Sequence, residues 1–318
     1  MATHYLEFER PIGDLEAKIE ELSKLSDVAG AGAFDNEIDA LRARVGVMRR
    51  EAYAHLDAWQ KTQVARHPER PHMLNYVAGL IEDFVELRGD RRFGDDQAVV
   101  GGMGRFRGAP VVVIGNEKGH DTTTRVKHNF GMAKPEGYRK AIRLMDMAEQ
   151  FNLPVISFVD TAGAYPGVGG EERGQGEAIA RSTERCLTLA TPMIATITGE
   201  GGSGGALAIA AANKVLILEH AIYSVASPEA AARIVFRDAD QAPAMAAAMK
   251  ITAQDLIGTG IVDRIVEEPA GGAHADPAAA IKSVGDAVED ELRKLNGLSP
   301  DALRAQRAER FYAIGRAL

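Results

Sequence analysis

Pro192-Met-Ile-Ala-Thr-Ile-Thr198, continued by Gly199-Glu-Gly-Gly-Ser203-Gly-Gly-Ala-Leu-Ala, is the stretch on which the fold turns. Its first half is an unbroken apolar run of the length expected for a strand buried on both faces. Its second half is glycine-rich and opens a helix of small residues from Ser203 to Ala212. Strand, glycine-rich junction, helix is the repeating unit of a layered α/β protein. The same order recurs upstream. Pro154-Val-Ile-Ser-Phe-Val-Asp160 is a second buried strand, and Thr161-Ala-Gly-Ala-Tyr165-Pro-Gly-Val-Gly-Gly170 leads from it into a helix from Gly174 to Ala190. Two successive strands therefore end in glycine-rich loops at one sheet edge, the edge where parallel α/β sheets bind ligands.

Outward from this core, Ala98-Val-Val-Gly-Gly, Pro110-Val-Val-Val-Ile-Gly115 and Lys214-Val-Leu-Ile-Leu218 read as further strands, and Glu136 to Phe151 as a helix. The first 66 residues read as a helical arm. Leu15, Ile19, Leu22 and Leu25 form one stripe, and Ile38, Leu41, Val45, Met48 and Ala52 another, on either side of the small-residue break Ala29-Gly-Ala-Gly-Ala33. His67-Pro68-Glu-Arg-Pro71 marks a boundary. The main domain is expected over 67–272 and a C-terminal helical segment over 273–318.

Composition narrows the class. The chain has 318 residues, 46% hydrophobic and 26% charged, with 37 basic against 45 acidic side chains and a net charge of −8. That is a globular balance, and the acidity disfavours a dedicated nucleic-acid site. No apolar run approaches the roughly 18 residues of a membrane span, and the opening residues carry no signal-peptide pattern. The single Cys186 excludes an internal disulfide and a multi-cysteine zinc site. A cytoplasmic location is expected.

Four readings fit the 199–205 cluster. Its glycines serve close helix–strand packing alone. Or Gly199, Gly201 and Gly204, with Glu219 about 20 residues on, form a dinucleotide fingerprint and make the chain a nicotinamide-dependent oxidoreductase. Or Gly201-Gly-Ser203-Gly-Gly205 is a nucleophile turn, with Asp263 and His274 completing a hydrolase triad. Or the amides of Gly204 and Gly205 form an oxyanion hole for a substrate that supplies its own reacting atoms. The second glycine-rich loop at the same edge favours the last, because two facing backbone cradles suit an enolate or carboxylate better than one pyrophosphate turn.

The residues themselves then point to a family. Asp160-Thr-Ala-Gly-Ala-Tyr-Pro-Gly, Glu171-Glu-Arg-Gly-Gln175, Gly199 to Ile209, Tyr223-Ser-Val-Ala-Ser-Pro-Glu229, Asn129-Phe-Gly-Met, Pro135-Glu-Gly-Tyr-Arg-Lys-Ala and Ala65-Arg-His-Pro together resemble the carboxyltransferase alpha-subunit family of bacterial acetyl-coenzyme A carboxylase. The resemblance spans nearly the whole chain. It implies a crotonase-like (ClpP/crotonase) α/β fold, a stacked β–β–α superhelix with an N-terminal helical hairpin and C-terminal helices. It implies an alpha2beta2 assembly with a zinc-ribbon beta subunit, and no metal on this chain. It further implies a carboxyl group brought as carboxybiotin on the biotin carboxyl carrier protein, with biotin carboxylase in the larger complex. The product the resemblance implies is malonyl-coenzyme A, made from acetyl-coenzyme A for fatty-acid synthesis.

Carried onto this sequence, the resemblance puts the oxyanion hole on Gly204 and Gly205, holding the ureido oxygen of biotin, with Gly163, Ala164, Tyr165, Gly201, Gly202 and Ser203 around it. The chain departs from the family where Ala162 stands in place of the usual proline, which releases a preset backbone angle, and at Ser227-Pro-Glu-Ala-Ala231. Lys118 and Arg125 sit in a locally basic segment that either meets coenzyme A phosphates or the carrier protein, or is a solvated loop. Glu171 and Glu172 read as helix caps, and Cys186 as a buried small residue. A scaffold for the beta subunit, without chemistry of its own, is the remaining alternative.

Overall fold

The computed structural model describes residues 4–29 and 34–316. The break at 30–33 lies outside the described residues. Two long helices, α1 (Arg10–Ala29) and α2 (Asp35–Ala54), pack together as a hairpin. The α2 stripe buries Ile38 and Val45, whereas Leu25 of α1 remains 48% exposed. Next come α3 (Ala58–Ala65), whose N-cap Asp57 accepts from the Gln60 amide, and α4 (Met73–Leu80).

The sheet begins with β1 (Ile81–Glu86), β2 (Val99–Phe106) and β3 (Ala109–Asn116), an antiparallel meander. Arg107 and Gly108 join β2 to β3 in a two-residue turn with φ of +51° and +78°, the geometry that matches strand twist in a hairpin. After α5 (Thr122–Lys127) and α6 (Pro135–Gln150) the chain switches to parallel addition. β4 (Val155–Thr161) is buried along its whole length and is followed by α7 (Val168–Glu171) and α8 (Gln175–Thr188). β5 (Met193–Gly202) is buried at every position, and α9 (Ser203–Ala210) follows with no intervening loop.

The rest comprises β6 (Lys214–Leu218), β7 (Ile222–Ser224), α10 (Pro228–Val235), α11 (Ala242–Met249), α12 (Ala253–Gly258), β8 (Arg264–Val266), α13 (Pro277–Leu295) and α14 (Pro300–Ala313). The sheet order is β1-β2-β3-β4-β5-β6-β8, with β7 pairing to β5. One core runs through it, from Met73 and Tyr76 across Ile156, Phe158 and Ile194 to Val284, Leu295 and Leu303. Each large aliphatic side chain buried there contributes about 1.5–3 kcal/mol.

The structure corrects two expectations about β5. The strand does not stop at Thr198 but carries Gly199–Gly202 within it, and the helix after it ends at Ala210. The reason is its neighbour. β5 pairs with β6 over Ile194–Ile197 and then with β7 over Glu200–Gly202, so the glycine run stays in a ladder. Among the described residues, no helix is long and apolar enough to cross a membrane.

Candidate functional site

The ends of β4 and β5 lie side by side, with Thr161 opposite Gly201. Their continuations touch backbone to backbone. A Cβ on Gly205 would stand 2.6 Å from the Ala164 nitrogen, and one on Gly202 would strike the Ala162 carbonyl. Gly201 is pressed instead against a side chain, the ring of Tyr223, with 2.7 Å between a Cβ there and Tyr223 Cδ2. Close packing therefore accounts for glycine at 201, 202 and 205. Gly204 is different: only a side-chain methyl, Ile179 Cγ2 at 3.2 Å, approaches its Cβ position.

Strand passes into helix at Ser203, a non-glycine residue held at φ +55°. Such strained positions persist where the surroundings over-determine them. The first-turn amides of α9 have no acceptor within the helix, and no side chain caps them. Ser203 is exposed and Gly204 half-buried, so this end of the helix faces outward with its positive pole.

The 161–167 loop faces it. The Thr161 hydroxyl donates to the Gly163 carbonyl at 2.8 Å and accepts from the Gly163 amide at 3.1 Å. This clasp fixes the bend at Ala162. Gln175 closes the loop's far end by donating to the carbonyls of Ala133 and Tyr165 at 2.8 and 2.9 Å. Tyr165 is half-buried against Gly167, with the Lys134 ammonium 5.2 Å above its ring.

Beneath both loops lies a charged cluster. Lys118, with 16% of its side chain exposed, reaches Asp160 at 2.6 Å and Glu200 at 3.0 Å. Asp160 also meets His72 Nδ1 at 3.2 Å and accepts from the Glu200 amide at 2.9 Å. Burial alone would raise the Asp160 pKa, but Lys118 and His72 outweigh it and hold the carboxyl far below its usual range. Arg66 bridges Glu200 at 2.6 Å to Glu229 at 2.5 Å. A cavity of about 390 Å³ opens here, lined by Arg66, His72, Lys118, Arg125, Ala162 and Glu200 among others.

Lys118 is thus not a solvated cation, because two carboxylates hold it. Arg125, on α5, donates to the Gly119 carbonyl at 3.5 Å and has no carboxylate partner among the described residues. The helix that Glu171 and Glu172 were expected to cap starts beyond them, at Gln175, with Glu177 in its first turn.

Two readings of the glycine cluster fail here. The hydrolase reading fails because His274 stacks on His67 at 3.7 Å while Asp263 binds Arg310 at 2.7 Å, so neither serves Ser203. The dinucleotide reading fails because Gly199 and Gly201 lie within strand β5 rather than in a turn that opens a helix, and Glu219 already accepts from the Glu268 amide. Glu9, His67 and His274 offer ligand atoms within 4.8 Å of one another. Yet both His67 nitrogens are in use, with the His4 carbonyl at 2.9 Å and the Glu69 amide at 3.2 Å. The group fastens the arm to the body. Cys186 is fully buried, its thiol pushed up to about 12 by burial, and is inert.

Comparison with known proteins decides the family. The family model described as acetyl co-enzyme A carboxylase carboxyltransferase-like matches residues 5–315. The chain belongs to that family. Acetyl-coenzyme A carboxylase carboxyl transferase subunit alpha of Caulobacter vibrioides is 74% identical over 317 residues, covering 100% of this chain and 99% of the relative. The same subunit of Caulobacter sp. strain K31 is 76% identical over 316 residues, 99% of each chain. Among solved structures, a chain of a Pseudomonas malonate decarboxylase hetero-tetramer in complex with coenzyme A aligns with TM-score 0.57 at 20% identity, over 70% of this chain and 89% of that one. Transcarboxylase 12S aligns with TM-score 0.54 at 20% identity, over 67% and 41%. At that identity the likeness establishes the shared crotonase-type fold.

Within this carboxyltransferase-like chain, Gly163, Ala164, Gly202 and Gly205 form one packed junction, with Gly201, Ser203 and Gly204 next to them in the chain. Arg125 lies beyond the charged cluster. The residues that sequence reading passed over are Asp160, Glu200, Arg66, Arg70 and His72. Asp160 and Glu200 stood inside quoted motifs, and an acid ending a wholly apolar strand was the available signal. Arg66, Arg70 and His72 lay in or beside a segment taken for a boundary.

Proposed function

We propose that this chain is the alpha half of the carboxyltransferase of a biotin-dependent acetyl-coenzyme A carboxylase, moving a carboxyl group from carboxybiotin to acetyl-coenzyme A to give malonyl-coenzyme A. The donor arrives on a biotin carboxyl carrier protein, and a zinc-ribbon beta subunit supplies the other half of the site in an alpha2beta2 assembly in the cytoplasm.

The observation that carries the chemical reading is the uncapped first turn of α9, presented outward by the strained Ser203. Carboxybiotin brings the carboxyl group, and release of that group leaves negative charge on the ureido oxygen. The amides of Gly204 and Gly205 are fixed dipoles that need no reorganisation to receive it, and the helix dipole adds to them. One such donor is worth about 2.7–4 kcal/mol where it acts. Gly163, Ala164 and Tyr165 form the facing wall, and Arg125 attracts the anionic donor. Supporting the absence of side-chain catalysis is the engagement of His274 and Asp263 elsewhere.

Reconstitution tests the reading. The chain is co-produced with a zinc-ribbon beta subunit and assayed in reverse, from malonyl-coenzyme A to a free biotin derivative. Transfer by the complex, and none by this chain alone, is expected. Transfer by the isolated chain overturns the shared site, and no transfer by a well-assembled complex overturns the activity.

A further inference from the structure

We propose that β5 contains a built positioning device: a two-residue bulge whose stranded backbone groups are caught by Arg70 and Asp160, which thereby set the direction of the Gly201–Gly205 amides. The inference rests on the reading above, that these amides receive charge. Between the pairs Val159–Ile197 and Thr161–Gly201, β4 contributes only Asp160 whereas β5 contributes Thr198, Gly199 and Glu200. At the same point β5 leaves β6 and takes β7 as its partner. Bulges re-aim the chain beyond them, and they leave ladder groups unpaired.

Two of the displaced groups are met by buried charged side chains. The Thr198 carbonyl accepts from Arg70 Nε at 2.7 Å, and the Glu200 amide donates to Asp160 Oδ1 at 2.9 Å. Gly199 between them has no room for a Cβ, which would stand 2.5 Å from Asp160 Oδ1. Each charge is balanced from outside the bulge. Arg70 is bidentate with Glu268 at 2.5 and 2.8 Å, both side chains wholly buried. Asp160 is balanced by Lys118 and meets His72 Nδ1 at 3.2 Å.

Buried ion pairs contribute little net stability compared with apolar replacements, and fixing one arrangement is their better-attested use. Charge-assisted hydrogen bonds are also shorter and more directional than neutral ones. Here they lock the chain one residue before the run that ends in Gly204 and Gly205. Asp160 and Arg70 are therefore positioning residues, acting through the glycine amides.

The test uses the complex reconstituted with its beta subunit, in two variants. Asp160→Ala removes the acceptor. Asp160→Asn combined with Lys118→Met removes both charges but keeps an oxygen for the Glu200 amide. Amide hydrogen exchange over 198–205 is followed alongside kcat and KM. For Asp160→Ala, exchange over 198–205 is expected to rise and kcat to fall about 100-fold with KM held within about twofold, the scale of a 1 Å misplacement. The double variant is expected to restore wild-type exchange and most of kcat.

Unchanged exchange in Asp160→Ala overturns the positioning role, whatever the rate. Raised exchange with wild-type kcat overturns instead the reading that the amides receive charge. Wild-type exchange with lost kcat in the double variant shows that the charges act directly, and also overturns positioning. If Asp160→Ala fails to assemble, the double variant decides alone on the same two readouts.

Discussion

Gly205 packs directly on the main chain of Gly163, so closely that a Cβ at 205 would stand 2.6 Å from the Gly163 carbonyl carbon. The two glycine-rich loops are thus one junction. Gly205→Ala and Gly202→Ala force main chain against main chain and should each destabilise the fold by about 1–3 kcal/mol. Gly204→Ala meets only the Cγ2 methyl of Ile179, at 3.2 Å, and should cost less than either. Urea denaturation midpoints of the three variants check this ordering, and equal midpoints contradict it.

Arg70 and Glu268 form a wholly buried pair, and Glu268 also accepts from the amides of His220 and Ala273 at 2.9 and 2.6 Å. Removing the acid's charge leaves a guanidinium uncompensated in the core. Glu268→Gln should cost about 3–5 kcal/mol, the penalty of breaking such a pair from one side. A Glu268→Gln variant as stable as wild type in urea denaturation would show that the pair is not what holds this region.

These two relationships mark the boundary of what the sequence reveals. The apolar runs at 154–160 and 192–198 announce buried strands because continuous hydrophobicity has few other meanings in an α/β chain. The loops after them announce themselves through glycine. What stays hidden is long-range. Nothing local says that Arg70, in a proline-flanked segment resembling a linker, reaches the Thr198 carbonyl at 2.7 Å. Nor does any local signal say that Lys118 is committed to Asp160 and Glu200. The length of β5 was missed because glycine normally weakens strands, whereas here β7 supplies a partner ladder. β1 was missed because α4 runs into it without a turn residue between Leu80 and Ile81.

His67 should make stability depend on pH. Burial first, and His274 beside it, lower its pKa from 6.5 to about 4. Between those values the unfolded chain takes up a proton that the native ring refuses. Its contribution is therefore intact above pH 6.5, is lost as pH falls, and is gone below pH 4. The 2.5-unit gap corresponds to about 3 kcal/mol at most. Thermal unfolding from pH 7.5 to 4.5 should show a steeper acid decline for wild type than for His67→Gln. Parallel curves would exclude His67 as a source of acid lability.

Arg125 is a cation at this edge that no carboxylate holds among the described residues. Arg125→Glu should raise KM for the biotinylated carrier by about tenfold at low salt, with kcat little changed and the difference shrinking as ionic strength rises. An unaltered KM at low salt would make Arg125 a solvated surface residue.

The account stands or falls on the Gly204 amide. Position 204 is in the first turn of α9, where proline removes an N–H without removing an intrahelical bond. Steady-state kcat of the reconstituted complex carrying Gly204→Pro, with Gly204→Ala as the variant that keeps the amide, is the direct measurement. With assembly verified for both, a loss of about 100- to 1,000-fold in the proline variant alone is expected. Wild-type turnover by an assembled Gly204→Pro complex would contradict the claim that this amide receives the developing charge.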